Sequence, residues 1–266
     1  MLNPLASPTQ VSAGTPSTPL GKVVVKYHAY VAKKLNVLTG QVADLRTSVA
    51  ANQLAASQRR WLAAQSTWQQ VGAAYGSFGA AGTAISGLAN GLPLYVADPA
   101  FTGLHRIEYG LYHGESMQTL LPVVDRLASD VKDLIANLDQ TAVTPTDMPI
   151  RCHEILEDAL RDHLSGQDDY GSGMAYALTS ADVAGTRVVL LELKPLIPSP
   201  VLGHSAYDTS SAALNVLDTA LNATKVAGKW PNYGSLTKHQ RQPVNGAIGA
   251  ALECLYQVPF VLGKLT

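Results

Sequence analysis

The sequence predicts an all-α protein built as two helical-bundle halves, and three observations carry that prediction. Apolar residues recur at three- and four-residue steps through several long segments. No segment of useful length shows the two-residue alternation of a half-buried strand. Aromatic residues are scarce at 6%, and Ala, Leu and Val supply most of a 47% apolar content, a mixture that suits helix packing better than sheet. At 266 residues the chain can bury a sizeable core, as one large domain or two small ones.

Residues 1–20 are rich in Ser, Thr, Pro, Ala and Gly and read as a flexible tether. They lack the charged and apolar regions of a signal peptide. Residues 21–266 follow as a helical domain, with halves of about 21–140 and 141–266. Val24, Tyr27, Val31, Leu35, Leu38, Val42 and Leu45 mark a helix over 21–49, and Leu54, Trp61, Trp68, Val71 and Tyr75 a second over about 53–78. The Gly-rich stretch 79–99, uncharged until Asp98, reads as a loop, and a short helix is expected at 103–112. Leu120, Val124, Leu127, Val131, Leu134 and Leu138 give an amphipathic helix over 117–138. After the break TPTDMP, Thr146 or Asp147 can cap a helix over 148–164. Further helices are predicted over 174–194, 208–226 and 237–258, with Pro243 and Pro259 bending or trimming the last.

A net charge of −1 offers no global attraction to nucleic acid or an anionic membrane, and no apolar run is long enough to span a bilayer. The charge is unevenly spread. Residues 1–97 hold seven basic groups (Lys22, Lys26, Lys33, Lys34, Arg46, Arg59, Arg60) against the single acid Asp44, so that part is +6 and the remainder −7. Either the halves pack by charge complementarity, or a cleft has one basic and one acidic wall. The two cysteines, Cys152 and Cys254, form no CxxC, and they are either two buried thiols or one disulfide, depending on the compartment.

The chemistry centres on GLHRIEYGLY, residues 103–112. His105 and Glu108, three apart, share one face of a helix and sit one turn apart. An imidazole nitrogen and a carboxylate oxygen so placed can bind one metal ion, or simply bond to each other. Arg106 falls on another face, where an acid can pair with it. There is no GxSxG, P-loop or HExxH, and no nucleophile–base pair stands out.

The stretch DPAFTGLHRIEYGLY (98–112) resembles the segment built around Gly-x-His-x-x-Glu in the imelysin-like domain family, the EfeO-type branch of bacterial iron-uptake proteins. Trp68, EILEDALRDHLSGQDDY (154–170) and NYGSLTKHQRQPVNGAIGAALE (232–253) resemble further family segments in the same order. The resemblance implies an all-α fold and an exported iron-uptake-type binding protein, periplasmic or at the cell surface, with a lipid anchor on the precursor as one option. A membrane iron permease or a haem peroxidase is the implied partner. His105, Glu108 and Glu154 are the implied metal ligands, for iron or another divalent or trivalent metal. A metal-free interaction module that binds a partner or an anionic ligand is the alternative, and a peptidase, the activity in the family's older name, is a lesser one. An oxidising compartment would favour a Cys152–Cys254 disulfide, adding up to ~4.7 kcal/mol in the chain-entropy model.

The chain departs from the family where the family is acidic. Trp68 is followed by Gln69-Gln70-Val71-Gly72, the stretch GAAGTAISGLANG (79–91) is uncharged, and after Tyr170 the first acid is Asp182. These are missing hard oxygen donors, so weak or absent binding of a bare ferric ion is expected. Acids early in the helix carrying His153, Glu154, Glu157 and Asp158 read as partners of the helix dipole. Asp168 and Asp169 read as turn formers, and Trp61, Trp68 and Tyr75 as core.

Overall fold

A computed structural model describes residues 17–141, 143–200 and 203–263. Most of the expected tether, residues 1–16, lies outside the described residues. Among those described the fold is all-α, with nine α-helices and no strand beyond one isolated bridge between Val226 and Lys229. Among the described residues no helix is long and apolar enough to cross a membrane.

The first half comprises α1 (Pro19–Ala50), α2 (Leu54–Gln69), α3 (Tyr75–Ser86), α4 (Gly103–Tyr112) and α5 (Met117–Ala136). Thr18 caps α1 by accepting from the Gly21 amide, and Pro19 starts the helix where its missing N–H costs nothing. The predicted stripe from Val24 to Leu45 is buried and packs against α2 and α5. Ser116 caps α5. The second half comprises α6 (Met148–Asp158), α7 (Ala175–Leu193), α8 (Ala206–Ala223) and α9 (Lys238–Leu262). Capping boxes open α8 (Ser205 with Asp208) and α9 (Thr237 with Gln240). Asp147 stands at the start of α6 but makes no capping hydrogen bond. Helix α7 packs on α1 and α2 as well as on α6 and α8, so one hydrophobic cluster runs through both halves.

Several boundaries differ from the sequence reading. The second predicted helix breaks after Gln69 into a 3-10 turn, and the stretch expected as a loop from residue 79 is helical as far as Ser86. Gly79, at φ 51° and ψ −128°, supplies the kink that turns the chain without ending the helix. Helix α9 runs through both Pro243 and Pro259, each of which removes one backbone donor from its hydrogen-bond ladder. The expected helix over 148–164 is α-helical only to Asp158, after which Ala159–His163 form a π-helical turn.

The expected disulfide is absent. Cys152 and Cys254 are free thiols, Cys152 buried and Cys254 partly exposed. Helix α9 buries Val244, Ala247, Ile248, Ala251, Leu255 and Val258, and Cys254 lies beside that stripe rather than on it.

Candidate functional site

The 103–112 motif forms α4, and Gly103 is what seats it. Its φ is +74°, and a Cβ there would lie 2.2 Å from the Ile85 carbonyl oxygen, so only glycine lets α4 start against the end of α3. Trp61, fully buried, donates from Nε1 to the Leu104 carbonyl at 2.9 Å and anchors the helix from α2. The inward face of α4 then presents His105 and Glu108, both almost completely enclosed.

His105 Nδ1 lies 3.3 Å from Glu108 Oε2. The other oxygen, Oε1, accepts the backbone N–H groups of Tyr170 and Ser172 at 3.2 and 3.3 Å. Glu108 therefore ties α4 to the turn 168–174. Asp169 builds that turn, as expected, by accepting from the Gly171 and Gly173 amides. Tyr170 packs its ring against His105 and Phe101, and its hydroxyl accepts from the Ala89 amide at 2.7 Å. Burial raises the pKa of Glu108, while His105 and Ser172 work to lower it.

His105 faces a cavity of about 320 Å³ between the two halves. Trp68, Gln69, Tyr75, Gly79, Gly82, Thr83, Ser86 and Gly87 line it from α2, α3 and their connections. Ile155, Asp158, Arg161, Asp162, His163, Asp168 and Asp182 line it from the second half. One wall is thus uncharged and the other carries four carboxylates. None of the seven cationic side chains of residues 1–97 lines the cavity, so the idea of a basic wall does not apply to it. Lys26 pairs with Glu192 on α7, Arg46 with Asp125, and Lys34 bonds to Gln70.

The residues that form the acidic wall were largely missed in the sequence, and the cause is local. Asp158, Arg161 and Asp162 share a face on ordinary helical spacing, but His163 would rotate away from Asp158. The π-helical turn closes an i→i+5 bond from the Leu164 amide to the Ala159 carbonyl at 3.0 Å, and the extra residue in that turn brings His163 into the cavity. His163 is enclosed between two carboxylates: Nδ1 bonds to Asp168, and Nε2 lies 3.0 Å from Asp182 Oδ2. The second contact is an ion pair that does not have the geometry of a hydrogen bond. Burial opposes charge on His163, but the two carboxylates outweigh it and hold its pKa well above the ordinary value. Burial likewise opposes the ionised Asp168, which His163 pulls below the usual carboxylate range. At Asp182 burial wins over His163 and pushes the pKa up to about 6. Asp168 lies in a turn, as expected, but its carboxylate is also an ion-pair partner of His163, and Asp158, at the end of α6 rather than near its start, belongs to the cavity.

The other sequence candidates lie elsewhere. Glu154 pairs with Arg151, is not among the residues lining the cavity, and is not brought together with His105 and Glu108. His153 pairs with Glu157 and packs against Tyr256 of α9. Arg106 pairs with Glu115 at 2.9 Å, the acid expected for it. Trp61 is core, whereas Trp68 and Tyr75, stacked with centroids 5.2 Å apart, also line the cavity. Among the described residues no three His, Cys, Asp or Glu side chains are arranged to hold a metal ion together.

A family model described as Imelysin, carrying the label Peptidase_M75, matches residues 23–199. The chain belongs to the imelysin family. Its match includes the α4 motif, the π-helical turn and Asp182 of this imelysin domain. Curated relatives include the "Iron uptake system component EfeO" of Escherichia coli O1:K1 / APEC, 23% identical over 244 residues. The proteins of the same description from Escherichia coli strain K12 and from Shigella flexneri are each 22% identical. In every case the imelysin chain is covered over 92% of its length and the relative over 64% of its own. The chain therefore spans less than two thirds of the relatives it matches.

Proposed function

We propose that this protein is an exported, iron-uptake-associated binding protein that takes a cation, or a cation held by a small chelator, in the cavity between its helical halves. The observation that carries this reading is the pairing of His105, from the family motif, with a wall of four aspartates across one cavity. The similarity to proteins described as iron uptake system components supports the cargo; the extracytoplasmic location and a membrane permease or haem peroxidase as partner are what the family resemblance implies.

The two motif residues have different roles in this proposal. With Glu108 ionised, its Oε2 takes a hydrogen bond from His105 Nδ1–H, which leaves the Nε2 lone pair for a ligand. Both oxygens of Glu108 are already occupied, so it orients the imidazole rather than ligating. Asp182, ion-paired with His163 but without a hydrogen bond on Oδ2, and the more exposed Asp158 and Asp162 supply hard oxygen from the opposite wall. Glu154, an expected ligand, would have to leave Arg151 to take part. Binding is weak in this reading, because the donors are not preassembled around one point.

A second reading, a metal-free interaction module, is favoured by that same lack of a preassembled cluster. Calorimetric titration with Fe(II), Zn(II) and Fe(III)-citrate near neutral pH separates the two. Micromolar binding that His105→Ala and Asp182→Asn both weaken is the expected result. Heat traces indistinguishable from buffer for all three ligands would leave only the second reading.

A further inference from the structure

We propose that Arg161 is a resident counter-cation, whose guanidinium holds the place between Asp158 and Asp162 that a divalent cation takes on binding. The inference rests on the cation-binding reading above and names the residue that sets the affinity of the site.

Asp158 and Asp162 stand one turn apart where α6 passes into the π-helical turn, and both line the cavity. A single guanidinium serves both. Arg161 Nη1 lies 2.8 Å from Asp158 Oδ1, while Nε and Nη2 grip the two oxygens of Asp162 at 2.8 and 2.6 Å. That fork occupies the oxygens a metal would need. The acids and their partner differ in exposure: the side chains of Asp162 and Asp158 are 18% and 45% exposed and that of Arg161 is 61% exposed. The carboxylates are therefore partly sheltered, and the cation over them is mostly in water.

The contrast with His163 shows which of the two internal cations can exchange. His163 bridges Asp168 and Asp182 in the same way, but although it lines the same cavity its side chain is only 5% exposed, so little of it reaches water. Arg161 can swing its head group into water and keep its charge hydrated. An exposed ion pair of this kind is weak, so a divalent ion can displace it, whereas a monovalent ion gains too little. Asp182, enclosed and lining the same cavity, has one oxygen that forms an ion pair with His163 but no hydrogen bond, and is a further acceptor for an ion that has entered. A cation carried inside an anionic chelate would behave oppositely, since Arg161 would then attract the carboxylates of the chelator.

The test is calorimetric titration of Zn(II), and separately Fe(III)-citrate, into the full chain as wild type, Arg161→Gln and Arg161→Lys, with circular dichroism confirming equal helix content. Removing the resident charge is expected to tighten Zn(II) binding about tenfold in Arg161→Gln, while Arg161→Lys stays close to wild type. Zn(II) bound by wild type and unchanged or weakened in Arg161→Gln would overturn the counter-cation but leave the cavity as a cation site. Weaker Fe(III)-citrate binding in Arg161→Gln with Zn(II) unaffected would make Arg161 a ligand for anions and also overturn the proposal. No Zn(II) binding by any of the three proteins would sink both the proposal and the site reading on which it rests.

Discussion

Glu108 offers the sharpest test of how the site is held together. Substitution by Ala removes the acceptor of two buried backbone N–H groups, those of Tyr170 and Ser172, and the partner of His105. Each buried donor left unpaired costs about 1–3 kcal/mol. The bonds are long, at 3.2 and 3.3 Å, so the low half of that range applies to each. Burial of the carboxylate already works against it, as its raised pKa shows, and losing that penalty offsets part of the cost. The net expectation for Glu108→Ala is a destabilisation of about 3 kcal/mol, or roughly 6–12 °C in Tm for a chain of this size. Glu108→Gln should behave differently. The amide oxygen still accepts from the turn, so stability should stay within about 1 kcal/mol of wild type. The amide NH₂, however, would donate to His105 Nδ1 and place the ring proton on Nε2, leaving no lone pair for a ligand. Urea unfolding followed by circular dichroism, together with Zn(II) calorimetry, reads both effects. A loss below 1 kcal/mol in Glu108→Ala would refute the anchoring argument. If Glu108→Gln bound Zn(II) as wild type does, the tautomer argument would fail.

The pH dependence of stability has a definite sign. Asp182 in the fold titrates near 6, above its unfolded value, and His163 is also raised, so both contribute stability that is full at low pH and lost as pH rises through their folded values. Asp168, lowered, acts only at more acidic pH. The unfolding free energy should therefore fall by on the order of 2 kcal/mol between pH 5 and 8, with a shallower slope in Asp182→Asn; a rise over that range in urea titrations would contradict the assignment. Gly103→Ala drives a Cβ to 2.2 Å from the Ile85 carbonyl oxygen at a positive φ, and should cost about 2–4 kcal/mol, read by thermal unfolding; a change under 0.5 kcal/mol would show that α4 shifts freely. Thiol titration in denaturant without reductant should count both Cys152 and Cys254, whereas no reactive thiol would restore the disulfide. Cys152→Ser should cost about 1–3 kcal/mol by burying a hydroxyl in an apolar site.

The helices, the buried stripes of α1 and α5, the placing of His105 and Glu108 on one helix face, and the family itself were legible from residue spacing and motif alone. These are local properties: a 3.6-residue period places side chains on a face without reference to anything distant. The charge asymmetry of the chain was equally visible; it pointed correctly to an acidic wall from the later part of the chain but misled about a basic one. The cationic side chains of α1 and α2 find other partners or water, and net charge along a segment says nothing of which face carries it. Tertiary structure alone decided which residues form the acidic wall. Asp168 and Asp182 lie on either side of His163 because a turn and helix α7 converge there, and His163 itself enters only through one extra residue in a π-helical turn. Tertiary structure likewise decided that Glu108 orients rather than stands free, since its acceptors are filled by amides more than sixty residues away. Periodicity records which side of a helix is buried, whereas the partner that a buried polar group finds depends on long-range packing and on a single inserted residue that leaves no mark in the pattern.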